Sequence, residues 1–214
     1  SFSKVIQYIK NNWEVYGAII IGNSCLIILL YGLQSWVPTM LLRVYEWDLV
    51  QSGRVYGSIA MLAGSAGVLS GPFVLKYMSK INVNAPHFKL AIIGITMATF
   101  SLVLLPFQPN VNIALVFVTM ASFFVTLPLA GTSSAMVIVS PNRIRGVITG
   151  IYVVVTSVFG LVLGPFLVAS STDFIFQDTN AVAKSLALVS VLVGPVGIFF
   201  MFKGINSFGE IKNV

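Results

Sequence analysis

Long stretches without any charged residue dominate this chain and restrict what it can fold into. The 90–142 stretch is too long for one membrane crossing, and it divides at the turn-like cluster between Pro106 and Asn110. Six segments result, each near or above the roughly 18 apolar residues that indicate a membrane helix. The charge-free stretches are 15–42, 55–75, 90–142, 146–172 and 185–202.

The predicted fold is therefore an all-α membrane protein with six transmembrane helices. Helices are expected because lipid leaves open backbone groups without partners. Only 8% of the residues are charged, whereas soluble domains carry about 25%. We expect an amphipathic interfacial helix over 1–12, the six-helix bundle over 13–204 and a cytoplasmic tail over 205–214. The predicted crossings are 13–42, 49–77, 88–106, 111–139, 145–171 and 181–203.

Positive charges are distributed unevenly between the two ends of these helices. If the N-terminus is cytoplasmic, nine Lys and Arg residues fall inside, and only Arg43, Arg54 and Lys184 fall outside. The positive-inside rule then predicts an integral, multi-pass protein with both termini cytoplasmic, most simply in a bacterial inner membrane. The net charge of +6 is thus a topology signal. No nucleic-acid partner is expected, because no basic stripe alternates with aromatic residues.

The second and fifth segments match each other at an offset of 93 residues. Corresponding helices run in opposite directions because three crossings separate them. This arrangement is a 3+3 inverted repeat, as found in many secondary transporters. In five of six aligned pairs the residues are identical: Gly53, Gly57, Gly64, Gly67, Gly71 and Pro72 align with Gly146, Gly150, Ser157, Gly160, Gly164 and Pro165.

Small residues of this kind let helices approach closely in lipid. We expect them to form packing surfaces and pivots, most simply against a second bundle. The residues assigned this role are Gly64, Gly67, Gly71, Pro72, Gly160, Gly164 and Pro165.

Polar stripes at helical spacing mark the first and fourth segments. Such Ser and Thr side chains either bond to their own backbone and hold helices together, or the two matched stripes line a water-accessible substrate cavity. The first stripe comprises Asn23, Ser24, Tyr31, Gln34 and Ser35, and the second comprises Thr119, Ser122, Thr126 and Ser133.

Arginines and prolines near the helix ends add further candidates. Arg54 either pairs with a nearby carboxylate or the interface, or contacts an anionic substrate. Two arginines, Arg143 and Arg145, lie in the predicted turn between the fourth and fifth helices. They either follow only from the positive-inside rule or close a gate on the cytoplasmic side of the transport path. Pro128 either kinks the fourth helix or breaks it so that backbone groups face a substrate.

Patterns for catalysis or metal binding are missing from the sequence. His87, the only histidine, is expected in a loop, so no Ser–His pair is expected at membrane depth. We expect neither an enzyme, nor a cofactor, nor a metal site. No carboxylate lies inside an apolar stretch, so a proton-coupling group would have to lie outside this chain.

Three short motifs carry a family resemblance. They are Trp36-x-Pro38-Thr39-x-Leu41, Arg145-Gly146 followed by Gly150, and Gly160-x-x-x-Gly164-Pro165 with Asp173 beyond. With them the chain resembles the C-terminal six-helix half of a major facilitator superfamily transporter. The first motif is similar to that of organic-anion and organophosphate members. The overall pattern is also similar to the spinster-like branch, which is associated with lysolipid export.

The resemblance implies roles for each kind of helix. The first and fourth would line the cavity, the second and fifth would form the interface between halves, and the third and sixth would support them from outside. We expect half of a secondary active transporter that moves a small organic anion by alternating access, as a symporter. The alternatives are half of a lysolipid exporter or a non-transporting six-helix scaffold. Expected partners are an N-terminal six-helix half or a second copy of the chain, membrane lipid and a small-molecule substrate.

Overall fold

Six long helices make up most of the molecule. The computed structural model describes residues 2–211, and all regular elements within them are helical. Each of the six is long and apolar enough to cross a membrane, which confirms the predicted fold class. A short helix, Phe2–Asn11, precedes α1 Trp13–Val44, α2 Leu49–Lys80, α3 Pro86–Phe107, α4 Val111–Val139, α5 Arg145–Phe176 and α6 Val182–Ile211.

The helix ends extend beyond several predicted limits. The boundary expected at residue 204 falls inside α6, which continues to Ile211, and 212–214 lie outside the described residues. Helix α5 ends in a π-helical turn, Ser171–Phe176. Its last residues are therefore wound more widely than the α-helix that precedes them.

Helix α1 is the centre of the bundle. Within its apolar stretch 72% of the residues are buried, against 28% for both α2 and α5. It packs along α5 and α6, while α3 packs along α6 and α4, and α2 packs along α4. The buried side chains of all six helices form one main hydrophobic core. Consequently α2 and α5 present the largest uncovered surfaces of the bundle.

Four glycines of the repeated stripe pack closely against other helices of the bundle. Gly67 and Gly71 of α2 lie against the backbone of α4, at Phe123 and Leu127. Gly160 of α5 lies against Ile27 of α1. A Cβ built on Gly164 would come within 2.7 Å of the Ile28 carbonyl oxygen and 3.0 Å of the Gly32 nitrogen. No side chain larger than hydrogen fits at such distances. The expectation that these four glycines face a second bundle is wrong, because their partners lie in the same chain.

The two repeats are joined to each other by these contacts. Helix α2, from the first repeat, packs on α4, the first helix of the second repeat. Helix α5, from the second repeat, packs on α1 in the same manner. The contact residues correspond at the offset of 93, since Gly67 and Gly71 align with Gly160 and Gly164. The inverted repeat seen in the sequence is therefore also a symmetry of the packing.

Pro128 interrupts α4, which is α-helical over Val111–Thr126 and again over Leu129–Val139. A Cβ on Gly94 of α3 would lie 2.7 Å from the Phe124 carbonyl oxygen and 2.8 Å from Cγ of Pro128. The carbonyl group that Pro128 leaves without its helical partner therefore faces α3. Pro128 acts as a kink packed against a neighbouring helix.

Candidate functional site

An open cavity of about 500 Å³ lies between α1, α2 and α4, close to the middle of each helix. Its wall is mainly apolar and contains no charged side chain. Polar groups come from the Gln34 amide and from four hydroxyls. The lining residues are Leu30, Gln34, Tyr56, Ala60, Gly64, Ser65, Val68, Leu69, Ser122, Thr126 and Leu129.

A π-helical turn, Ala60–Gly64, forms part of the α2 wall. Such a turn inserts one extra residue and displaces backbone groups from their usual partners. The Thr126 hydroxyl lies 3.0 Å from the Gly64 carbonyl oxygen and 2.9 Å from the Ser122 carbonyl oxygen. Its single proton is therefore shared between its own helix and α2. The widened turn and this hydroxyl together join α2 to α4 beside the cavity.

Two further hydroxyls face one another across the cavity wall. Tyr56 is only 6% exposed, and its hydroxyl interacts with that of Ser122. The Ser122 oxygen makes no hydrogen bond of ordinary geometry with any described residue. These two hydroxyls form a polar spot in the otherwise apolar wall between α2 and α4.

The structure brings only part of the predicted polar stripes to this cavity. Gln34, Ser122 and Thr126 line it. Tyr31 is half-buried and Ser35 is exposed on the same part of α1. Ser24 donates to the Ile20 carbonyl at 2.8 Å and Thr119 donates to the Leu115 carbonyl at 2.7 Å, so both bond to their own helix.

Asn23 and Ser133 take part in contacts between helices instead. Asn23 is 2% exposed, and its Oδ1 accepts a hydrogen bond of 2.6 Å from the Thr132 hydroxyl. The Ser133 hydroxyl lies 3.3 Å from that of Tyr152 in α5. These bonds connect α1, α4 and α5 away from the residues that line the cavity.

The predicted arginines also lie outside the cavity. Arg54 is exposed on α2, while the nearby Asp48 caps that helix by accepting 2.8 Å from the Gln51 backbone nitrogen. Arg143 is exposed. Arg145 donates through Nη2 and Nε to the Ser140 carbonyl at 3.2 and 3.3 Å. This arginine therefore caps the end of α4.

His87 differs from its prediction. It is half-buried near the start of α3, and its Nδ1 lies 3.0 Å from the Gly131 carbonyl oxygen and 3.3 Å from the Ser134 hydroxyl. The expectation that His87 lies in a loop is therefore wrong, and its ring contacts a serine of α4 near the ends of both helices. Ser134 also donates to the Gly131 carbonyl at 2.9 Å. If Nδ1 of His87 donates a hydrogen bond to the Gly131 carbonyl, that nitrogen already carries a proton. It then cannot accept the proton of the Ser134 hydroxyl, so His87 does not act as a base for Ser134. This cluster joins α3 to α4.

Sequence reasoning missed Tyr56 and Ser65 as lining residues. Tyr56, Ala60 and Gly64 share one face of α2 at intervals of four, within the stripe interpreted as a packing surface. A large hydroxyl-bearing residue inside a stripe of small ones was the available signal. The structure shows that this stripe has an open part beside the cavity and a closely packed part at Gly67 and Gly71.

Six membrane helices in a 3+3 inverted repeat, with an open cavity at mid-depth, define the class as half of a secondary-transporter fold. The chain belongs to the Major Facilitator Superfamily, whose family model matches residues 1–165. It is accordingly an integral, multi-pass membrane protein with a transporter fold. No curated protein sequence matches this chain.

Two solved structures of a bacterial homologue of the human lysosomal transporter Spinster have a similar fold. The inward-facing, occupied structure has a TM-score of 0.64 and 13% identity, covering 94% of this chain and 49% of that one. The inward-facing, unoccupied structure has a TM-score of 0.69 and 12% identity, covering 100% and 50%. The present chain thus spans about half the length of these structures.

Proposed function

We propose that this chain is the C-terminal half of a secondary active transporter that works by alternating access. Its family, its inverted repeat and its half-length match to whole transporter structures support this. The partner would be an N-terminal six-helix bundle or, alternatively, a second copy of the chain. The uncovered parts of α2 and α5 provide the surface for it, and a Cβ on Gly53, Gly57, Gly146 or Gly150 would meet nothing within 4 Å.

The uncharged cavity is the observation that favours one substrate class over the other. An anion buried there would lose its hydration without gaining a cationic partner from this half. Apolar walls with a few hydroxyl and amide groups suit a molecule with a long apolar part and a small polar one. We therefore favour an amphipathic, lysolipid-like substrate, whose apolar chain lies in the cavity while its charged headgroup stays outside, over a small organic anion.

A small organic anion is the second candidate, and Arg54 is the residue that favours it. This side chain is exposed on α2, two residues before Tyr56. A substrate held between the two halves could reach it without entering the cavity. The two candidates therefore differ in whether Arg54 or the cavity wall contacts the substrate.

The same proposal includes the orientation of the chain in the membrane and the coupling of substrate transport to an ion. The nine-to-three distribution of positive residues supports cytoplasmic termini, in a membrane such as a bacterial inner membrane. Symport would require an ion site. Because the apolar stretches contain no carboxylate, that site would lie in the partner bundle.

Binding of a fluorescent lysophospholipid to the intact transporter tests the substrate assignment. Gln34→Ala and Tyr56→Phe should each weaken binding about two- to tenfold, the effect of losing one hydrogen bond. Gln51→Ala and Tyr77→Phe are matched controls, since both residues are exposed on α2 and neither lines the cavity. The controls should bind as the unaltered protein does.

Glycerol phosphate serves as the competing anionic probe. Unchanged lysophospholipid affinity in both cavity variants would contradict the proposed substrate class. The small organic anion would be the substrate class instead if the unaltered protein bound glycerol phosphate but not lysophospholipid, and if Arg54→Gln abolished the binding of glycerol phosphate.

A further inference from the structure

A second cavity, here called the terminal groove, lies on the side of the bundle that carries both chain ends. The start of α1 and the end of α6 form its walls, and its volume is about 390 Å³. The side chains that characterise it are Trp13, Glu14, Phe200, Lys203, Asn206 and Ser207. The groove shares no lining residue with the cavity at mid-depth.

Close packing fixes the two walls of the terminal groove relative to each other. A Cβ on Gly204 of α6 would lie 2.7 Å from the Ala18 Cβ of α1. A Cβ on Gly22 of α1 would lie 2.8 Å from Cγ of Met201. A Cβ on Gly17 would lie 2.8 Å from the Trp13 ring, so this glycine makes room for the indole. The groove is therefore preformed.

The terminal groove lies at the depth of lipid headgroups. Helix α6 begins at Val182, and at 1.5 Å per residue the hydrocarbon core of about 30 Å is crossed in roughly 20 residues. Lys203 comes at that point. Trp13, which is 50% exposed, begins α1 on the same side, and tryptophan is enriched at membrane interfaces.

Both signs of charge occur within the groove. Lys203 Nζ lies 4.9 Å from the centroid of the Phe199 ring. The Glu14 carboxylate accepts a hydrogen bond of 2.6 Å from the Ser207 hydroxyl, which holds it at the wall. A lysine pairs with the phosphate diester of a lipid, and a carboxylate accepts hydrogen bonds from a primary ammonium group, which has three N–H donors. A headgroup that carries only negative charge would meet the carboxylate as well as the lysine.

An exposed apolar strip continues from Lys203 toward the middle of the membrane. Leu192, Val196 and Phe199 follow one another on α6 at helical spacing and are 59%, 45% and 55% exposed. An acyl chain extending from a phosphate at Lys203 would lie along these side chains. The groove and the strip together match the parts of a phospholipid.

We propose that the terminal groove binds a phospholipid with a primary-ammonium headgroup, of the phosphatidylethanolamine kind. Lys203 holds the phosphate and Glu14 holds the ammonium group. Binding at this site stabilises the contact between α1 and α6, and it does not depend on the substrate of the mid-depth cavity.

Native mass spectrometry of the full natural chain in detergent tests this site. The probe is an equimolar mixture of phosphatidylethanolamine, phosphatidylcholine and phosphatidylglycerol with identical acyl chains. The unaltered protein should retain phosphatidylethanolamine above the other two. Lys203→Gln should lower retention of all three by about fivefold. Glu14→Gln should remove only the preference for phosphatidylethanolamine over phosphatidylcholine.

Lys184→Gln near the start of α6 and Glu46→Gln in the loop after α1 are charge-matched controls on the opposite side of the bundle, and both should retain lipid as the unaltered protein does. Preferential retention of phosphatidylglycerol, or identical retention in all variants, would overturn the proposal.

A second measurement needs no charge substitution. Phosphatidylethanolamine with brominated chains should quench tryptophan fluorescence more than brominated phosphatidylcholine does, and Trp13→Phe should abolish that difference. Equal quenching by the two lipids in the unaltered protein would also overturn the proposal.

Discussion

Neighbouring atoms divide the glycines of α2 and α5 into two groups. Gly67 and Gly164 lie against the backbone of another helix, whereas Gly57 and Gly150 have open space where a Cβ would be. Residues of one type in one stripe therefore serve different purposes. The first group sets the distance between helices inside the bundle, and the second lies on the uncovered surface.

Gly164→Ala should destabilise the bundle by about 1–3 kcal/mol, because the added methyl group overlaps the α1 backbone at Ile28 and Gly32. Gly150→Ala, in the same helix, is the control. It should be neutral or stabilising by roughly 0.5–1 kcal/mol, since alanine favours a helix and meets no neighbour. Thermal unfolding in detergent gives both values. Equal shifts in the two variants would show that α5 does not approach α1 this closely.

The polar residues show why helical spacing alone does not predict which side chains line the cavity. Helical spacing predicted Gln34, Ser122 and Thr126, which line the cavity. The same spacing included Asn23, whose oxygen is occupied by Thr132, more than 100 residues later in the chain. Periodicity identifies the face of a helix, but the partner that covers part of that face lies far away in sequence.

Two irregularities in the helices shape the cavity. The π-helical turn Ala60–Gly64 widens α2, and the interruption at Pro128 bends α4. The first lies beside the cavity, and the second directs the Phe124 carbonyl toward Gly94 of α3.

Deletion of Ala63 should convert the π-helical turn to regular α-helix. Because one residue corresponds to about 100° of helical rotation, Ala60 should turn away from the cavity while Gly67 and Gly71 keep their contacts with α4. In a Cys25→Ala background, Ala60→Cys should react with a water-soluble maleimide, and the deletion should greatly slow this reaction.

Ser35→Cys on α1 provides the control for that deletion, because this exposed position should label equally with and without Ala63. Unchanged labelling at position 60 would mean that the turn does not set the orientation of α2.

The helices themselves were largely predictable, since charge-free stretches and positive charges locate the ends of membrane segments. The π-helical turns were not, because a one-residue insertion leaves no mark on hydropathy and depends on packing against another helix. The contact of His87 with Ser134 was also missed, since 47 residues separate them and α3 begins earlier than predicted.

At the scale of the whole molecule, a large part of the surface remains uncovered. Only 28% of the apolar stretches of α2 and α5 is buried, and the mid-depth cavity opens to one side. In the proposed transporter, a second bundle covers this surface and completes the cavity.

The 214-residue chain alone should therefore not transport lysophospholipid when purified as a monomer into liposomes. Co-reconstitution with the N-terminal bundle of the same transporter should restore uptake, because both walls of the cavity are then present. Flux is measured with a fluorescent lysophospholipid, and empty liposomes provide the background. Robust uptake by the monomer alone would contradict the assignment as half of a transporter.

The exchange of packing partners between the two repeats also has a consequence for biosynthesis. Gly32 of α1 meets Gly164 of α5, which leaves the ribosome roughly ten seconds later at typical elongation rates. During that interval the central helix lacks its neighbour, and the first repeat cannot close by itself. Nascent α1 must therefore remain sheltered, by lipid or by the insertion machinery, until the second repeat arrives.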